Sequence, residues 1–139
     1  KTAPPPELDA ETRAAVPAPA RRYLDRSIGR LKWRWRGPAL REAAFPVPGV
    51  GFRASLFRMT PGKAAPRHSH QGHEYTLVLQ GGFTDDGERY DRGDFAVADA
   101  SRAHVQTADE EGCLCLVVLD APVRLTGMLG AIANRFLRF

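Results

Sequence analysis

Between Phe45 and Leu125 the chain breaks into short apolar or alternating runs, each ended by turn residues. This rhythm limits the folds open to the chain more than any other feature. The runs are GFRASLFRMT, EYTLVLQGGFT, RYDRGDFAVAD, AHVQTA and CLCLVVLDAPVRL, with Pro61-Gly62, DDGE, DRGD and DEEG as turns. A period of two places alternate side chains on opposite faces of a strand. Many such strands at close spacing predict an antiparallel sandwich or barrel.

The flanks read differently. Residues 1–29, with APPP and VPAPA, predict a Pro-rich linker holding a helical turn at ELDAETRAA and a brief helix from Pro19. Ala20, Tyr23, Leu24 and Ile28 share helical spacing there, and Gly29 can stop the helix. Residues 30–126 are assigned to the barrel, opened by LKWRW as a strand. At the other end, Leu125, Met128, Leu129, Ile132 and Phe136 form one helical stripe, predicting a closing helix over 127–139 packed on the barrel. A length of 139 residues suits one domain, and 43% apolar residues can build its core.

Charge is uneven. Residues 1–44 hold ten Lys/Arg against five Asp/Glu, whereas residues 45–139 hold ten against eleven. The basic stretch RRYLDRSIGRLKWRWRG interleaves aromatics, but strand alternation explains it: Trp33 and Trp35 on a packed face, Lys32, Arg34 and Arg36 toward solvent. Direct nucleic-acid binding is not expected. Nor is a membrane span, for no run approaches the roughly 18 apolar residues one needs. Two cysteines, Cys113 and Cys115, make no disulfide framework and fit a cytoplasmic setting.

The chemistry concentrates in RHSHQGHEY. His68 and His70, two apart on an extended chain, present imidazoles to one face, as adjacent metal ligands on a strand require. Glu74 follows at the head of the apolar run YTLVLQG, where a carboxylate is costly unless paired. His104, in a separate strand, can complete a set of three imidazoles and one carboxylate.

The spacing Gly62, five residues, His68, one, His70, three, Glu74, six, Gly81 resembles the first motif of the cupin superfamily with every position filled. Gly93 to His104 has the separation of the second motif, although Asp99, Ser101 and Ala108 stand where proline, glycine and asparagine are usual. The resemblance implies a small all-β, jelly-roll-like antiparallel barrel binding metal through His68, His70, Glu74 and His104. LKWRWRGPALREAAF, RMTPGKAAPRHSHQGHEYTLVLQGGFTDD, GDFAVAD and the last 27 residues further resemble the C-terminal cupin-like domain of ChrR-type anti-sigma factors. That resemblance implies bound zinc and control of sigma-factor release under singlet-oxygen or organic-peroxide stress. The sigma factor, of the extracytoplasmic-function class, would be held by an upstream zinc-binding helical domain. No His-x3-Cys-x2-Cys motif occurs between Lys1 and Phe139, so that domain would precede Lys1.

The family usually carries an acidic residue where this chain has His73, a spare imidazole and candidate for a supporting position beside the metal. Cys113 and Cys115 point the same way on an apolar strand. They are either small core residues or an oxidisable pair, the latter requiring accessible thiols of low pKa. A bond between them is expected to be strained, since residues two apart stand about 7 Å apart at Cα. Three histidines and a glutamate also suit iron, nickel or manganese. The competing reading is therefore a stand-alone mononuclear cupin enzyme, dioxygenase-like, acting on a small molecule. A four-ligand zinc site leaves no vacancy for substrate and favours regulation. Either protein could pair as a homodimer.

Overall fold

The computed structural model describes residues 3–49, 51–65, 68–70, 72–99, 101, 103–120 and 123–125, with 68–70 and 123–125 as backbone only. The helix expected over 127–139 lies outside the described residues.

Nine strands follow two short helices and a 3-10 turn among the described residues. The strands are β1 (Arg34–Trp35), β2 (Leu40–Ala44), β3 (Arg53–Met59), β4 (His68–His70), β5 (Glu74–Asp85), β6 (Glu88–Asp91), β7 (Phe95–Ala98), β8 (Gln106–Leu119) and β9 (Val123–Leu125). All pairings are antiparallel. The main sheet runs β1-β2-β3-β8-β5-β6, β7 adds to β5, and β4 pairs separately with β9. This is the all-β antiparallel architecture expected from the turn rhythm.

β5 and β8 decide the shape. They pair from Glu74↔Leu119 to Asp85↔Gln106, with register shifts between Val78 and Gln80 and between Gly81 and Phe83. Such bulges bend a strand and increase its twist. Gly81, at φ +65°, sits so close to Gly112 that an added Cβ would lie 2.0 Å from the Gly112 carbonyl oxygen. Only glycine fits. The bend brings distant ends together: Gln106 Nε2 donates to Glu74 Oε1 at 3.3 Å, although their strands pair at opposite ends of the ladder. The DEEG segment, expected as a turn, therefore lies inside β8. Gly112, at φ +77°, curves the strand there without ending it. DDGE does turn, with Asp86 and Gly87 at positive φ joining β5 to β6.

Two cores use opposite faces of the same strands. Phe57, Met59, Val78, Phe83, Cys113 and Cys115 belong to one. Leu56, Leu79 and Leu114 belong to the other, with Ala15, Val16, Leu24 and Ile28 of the N-terminal arm. The arm expected as a linker is thus a packed cover. Its helix α1 (Ala10–Ala15) is capped by Asp9, whose Oδ1 accepts from the Thr12 amide at 2.8 Å and the Thr12 hydroxyl at 2.6 Å. Thr12 Oγ1 in turn accepts from the Ile28 amide at 2.9 Å, and Ser27 Oγ from the Asp9 amide at 2.8 Å. Helix α2 (Ala18–Arg21) is a single turn, and a 3-10 turn follows at Ile28–Arg30. Arg58 reaches Glu11 at 3.2 Å and Arg92 reaches the Ala14 carbonyl at 2.8 Å, fixing the arm to the barrel.

The tryptophan expectation is corrected. Trp33 packs partly into the outer core and donates Nε1–H to the Ile28 carbonyl at 2.9 Å, but Trp35 is 61% exposed beneath the Arg41 guanidinium. Arg36, expected toward solvent, joins Arg53 on the buried Glu42 carboxylate. β1 is only two residues long, so alternation has too little strand over which to act.

Candidate metal centre

Glu74 begins β5, and the chain before it is the histidine-rich segment; Asp85 ends the same strand. Because β5 bends at Gly81, both carboxylates line one cavity of about 420 Å³ with Thr76, His104 and Gln106. Asp86, Glu88 and Asp99 also line it, making its wall strongly acidic.

His104 and Glu74 are buried, at 3% and 5% exposure. Glu74 Oε1 accepts from Thr76 Oγ1 and from Gln106 Nε2, each at 3.3 Å. His104 Nδ1 lies 2.7 Å from Asp85 Oδ2. Burial, the largest influence on His104, opposes its protonation. The Asp85 bond and the charges of Glu74, Asp85 and Asp86 together outweigh it, holding the pKa above the ordinary 6.5. The cavity therefore calls for positive charge. A proton on His104 supplies it in part, and a divalent ion would supply more.

The four predicted ligands are placed as follows. Glu74 and His104 line the same cavity. His68 and His70 occupy the ends of β4, opposite Leu125 and Val123 of β9, and their side chains lie outside the described residues. Among the described residues no three His, Cys, Asp or Glu side chains gather tightly enough to hold a metal ion. The donor chemistry nevertheless fits one. A buried imidazole backed by a carboxylate and a buried carboxylate oriented by two donors are how proteins prepare ligands.

His73 does not line this cavity. It is exposed, its amide donates to Asp120 Oδ1, its Nδ1 lies 3.2 Å from Asp120 Oδ2, and its ring stacks on Tyr75. The backbone bond from His73, the largest influence, holds the Asp120 carboxyl below its ordinary range; burial opposes it, and the smaller side-chain bond and charge of His73 add to it. Cys113 and Cys115 are buried in the inner core with sulfurs 3.1 Å apart, closer than straight strand geometry predicts. The bond from Cys113, then burial, then nearby negative charge push the Cys115 thiol well above 9.0. Sequence reasoning missed Asp85, Thr76 and Gln106. Asp85 stands in DDGE, which carries a turn signal and nothing that marks it as a partner of His104.

The family model described as "ChrR Cupin-like domain" matches residues 48–122. The anti-sigma-E factor ChrR of Cereibacter sphaeroides is 38% identical over 136 residues, 97% of this chain and 62% of that protein. This chain thus spans less than two thirds of that relative. In the crystal structure of Rhodobacter sphaeroides SigE in complex with the anti-sigma ChrR, a chain superposes with TM-score 0.71 at 36% identity, covering 81% of this chain and 59% of that one. An acetylacetone dioxygenase from Acinetobacter johnsonii shares the fold, with TM-score 0.64 at 12% identity over 78% of this chain and 79% of that one. The geometry and these likenesses agree on kinship: the chain belongs to the ChrR cupin-like domain family.

Proposed function

We propose that this chain is the metal-binding sensory domain of a ChrR-type anti-sigma factor, holding zinc through His68, His70, Glu74 and His104. The observation that carries the reading is the buried Glu74–His104 pair in an acidic cavity, each member already held by its own partners. Zinc bound there supplies a fixed double positive charge and no redox chemistry of its own. The chain's residues do the rest: Thr76 and Gln106 orient the Glu74 carboxylate, and the apolar inner core closes the space beneath it.

In this reading the domain acts in the cytoplasm on an extracytoplasmic-function sigma factor, through a further part of the protein, and responds to singlet oxygen or organic peroxide. The sigma-factor partner is suggested by the relative solved with SigE. Cys113 and Cys115 are the redox-sensing pair. A hydroperoxide oxidises one thiol to a sulfenic acid and leaves as the alcohol; the second thiol then displaces water to form the disulfide. Their burial and the raised Cys115 pKa are the opposite of the accessible, low-pKa thiols such a pair requires, so in this reading oxidation follows exposure of the pair.

The test is metal analysis of purified protein, followed by hydroperoxide treatment with mass spectrometry and zinc release as readouts. One zinc per chain and loss of two hydrogens across Cys113 and Cys115 are expected. Stoichiometric iron with oxygen uptake on a small substrate would overturn the reading in favour of the dioxygenase alternative.

A further inference from the structure

The buried polar groups around the cavity do not all serve one end. Glu74 and Asp85 are the first and last residues of the same strand, and Asp85 faces His104 from the position paired with Gln106. The Asp85–His104 contact of 2.7 Å is short for a nitrogen-to-oxygen bond, and the two side chains are only 15% and 4% exposed. A carboxylate that close to Nδ1 makes Nδ1 the nitrogen that keeps its proton, so Nε2 is the one that carries the lone pair when the ring is neutral.

Asp85 is itself held by local geometry. The bulges beside Gly81 set its direction, and the Asp86-Gly87 turn, with φ of 48° and 88°, pins its backbone against Glu88 of β6. Its other oxygen, Oδ1, is buried without a hydrogen-bond partner among the described residues. A buried carboxylate oxygen left so is destabilising, and nothing in packing alone requires a carboxylate there. Its use is the bond that Oδ2 makes to the ring.

We propose that Asp85 is the positioning residue of the metal centre, fixing the His104 ring and tautomer so that Nε2 is the atom offered to the metal. The proposal rests on the metal-binding reading above. A carboxylate behind a ligand imidazole orients the ring and raises its basicity, and its removal typically weakens metal binding about 10–100-fold. Asn at this position keeps an oxygen that can accept from Nδ1–H but lacks the charge, whereas Ala keeps neither.

The experiment measures Zn²⁺ affinity of the full chain by chelator competition in wild type, Asp85→Asn and Asp85→Ala. Cobalt-substituted absorption spectra and unfolding of the metal-free forms accompany it. Expected are about 10–100-fold weaker zinc binding in Asp85→Ala and a smaller loss in Asp85→Asn. The cobalt band pattern should be unchanged in Asp85→Asn, because the ligands are the same. Wild-type affinity in both variants overturns the proposal while leaving the metal centre intact. Equal weakening in both, matched by equal loss of metal-free stability, assigns Asp85 a structural role and also overturns it. A changed cobalt spectrum in Asp85→Asn makes Asp85 a ligand instead. Absence of zinc binding in wild type sinks the metal reading itself, and the proposal with it.

Discussion

The two faces of β5 and β8 carry the same backbone toward opposite ends. On the outer face Leu79 and Leu114 meet Val16, Leu24 and Ile28 of the arm in an apolar cluster. On the inner face Val78, Cys113 and Cys115 continue into Thr76, Glu74 and the acidic cavity. One face is built from apolar area, which stabilises at roughly 25 cal/mol per Å². The other keeps buried polar groups that cost stability unless each is paired. Adjacent residues on one strand thus serve the packed core and the polar cavity separately, and substitutions on the two faces should have separable effects.

Three changes test that separation. The largest is expected at Ile28, fully buried where the arm meets the sheet. Ile28→Ala should lower unfolding free energy by about 2–5 kcal/mol in urea titration while leaving zinc stoichiometry unchanged. Lost zinc with the arm's packing would show that the faces are coupled. On the inner face Glu74→Gln keeps an oxygen for the Thr76 and Gln106 bonds but removes one charge from an acid-rich cavity. Zinc affinity should fall by orders of magnitude, with metal-free stability shifted by about 1 kcal/mol, the net scale of a single hydrogen bond. A large loss of metal-free stability would make Glu74 a structural residue.

The smallest effect concerns acid. The Thr12 side-chain and backbone bonds, with a lesser one from Ser27, hold the Asp9 carboxyl below its ordinary 3.8, despite an opposing effect of burial. A lowered folded-state pKa gives stability that is full above the ordinary value and lost as pH falls through the folded one. Between neutral pH and about 5 the cap should therefore contribute a constant amount, and only below 3.8 should wild type approach Asp9→Asn in thermal melts. Convergence of the two at pH 6 would contradict that.

Much of this was legible before the structure. Period-two runs located β3, β5 and the apolar half of β8, because alternation is a local property of long strands. Histidine spacing marked Glu74 and His104, which line one cavity. What stayed hidden depended on pairs of distant residues. The arm's role as cover needs the outer face of β5 and β8 to be known, and a stretch rich in proline gives no local sign of it. DEEG looks like a turn because Gly112 is a turn residue; only its contact with Gly81 across the ladder makes it a bend within a strand. Asp85 follows from that same bend, so no reading of DDGE alone could have paired it with His104.

The close approach of Gly81 to Gly112 makes the barrel a lever. From Gly81 the strand runs about 13 Å to Asp85 and about 23 Å to Glu74, at 3.3 Å per residue. Prying the backbones apart there by a rotation of about 5° would swing those carboxylates by about 1–2 Å, more than the roughly 0.5 Å a functional site tolerates. The position with the greatest leverage over the cavity is thus one that contributes no side chain to it.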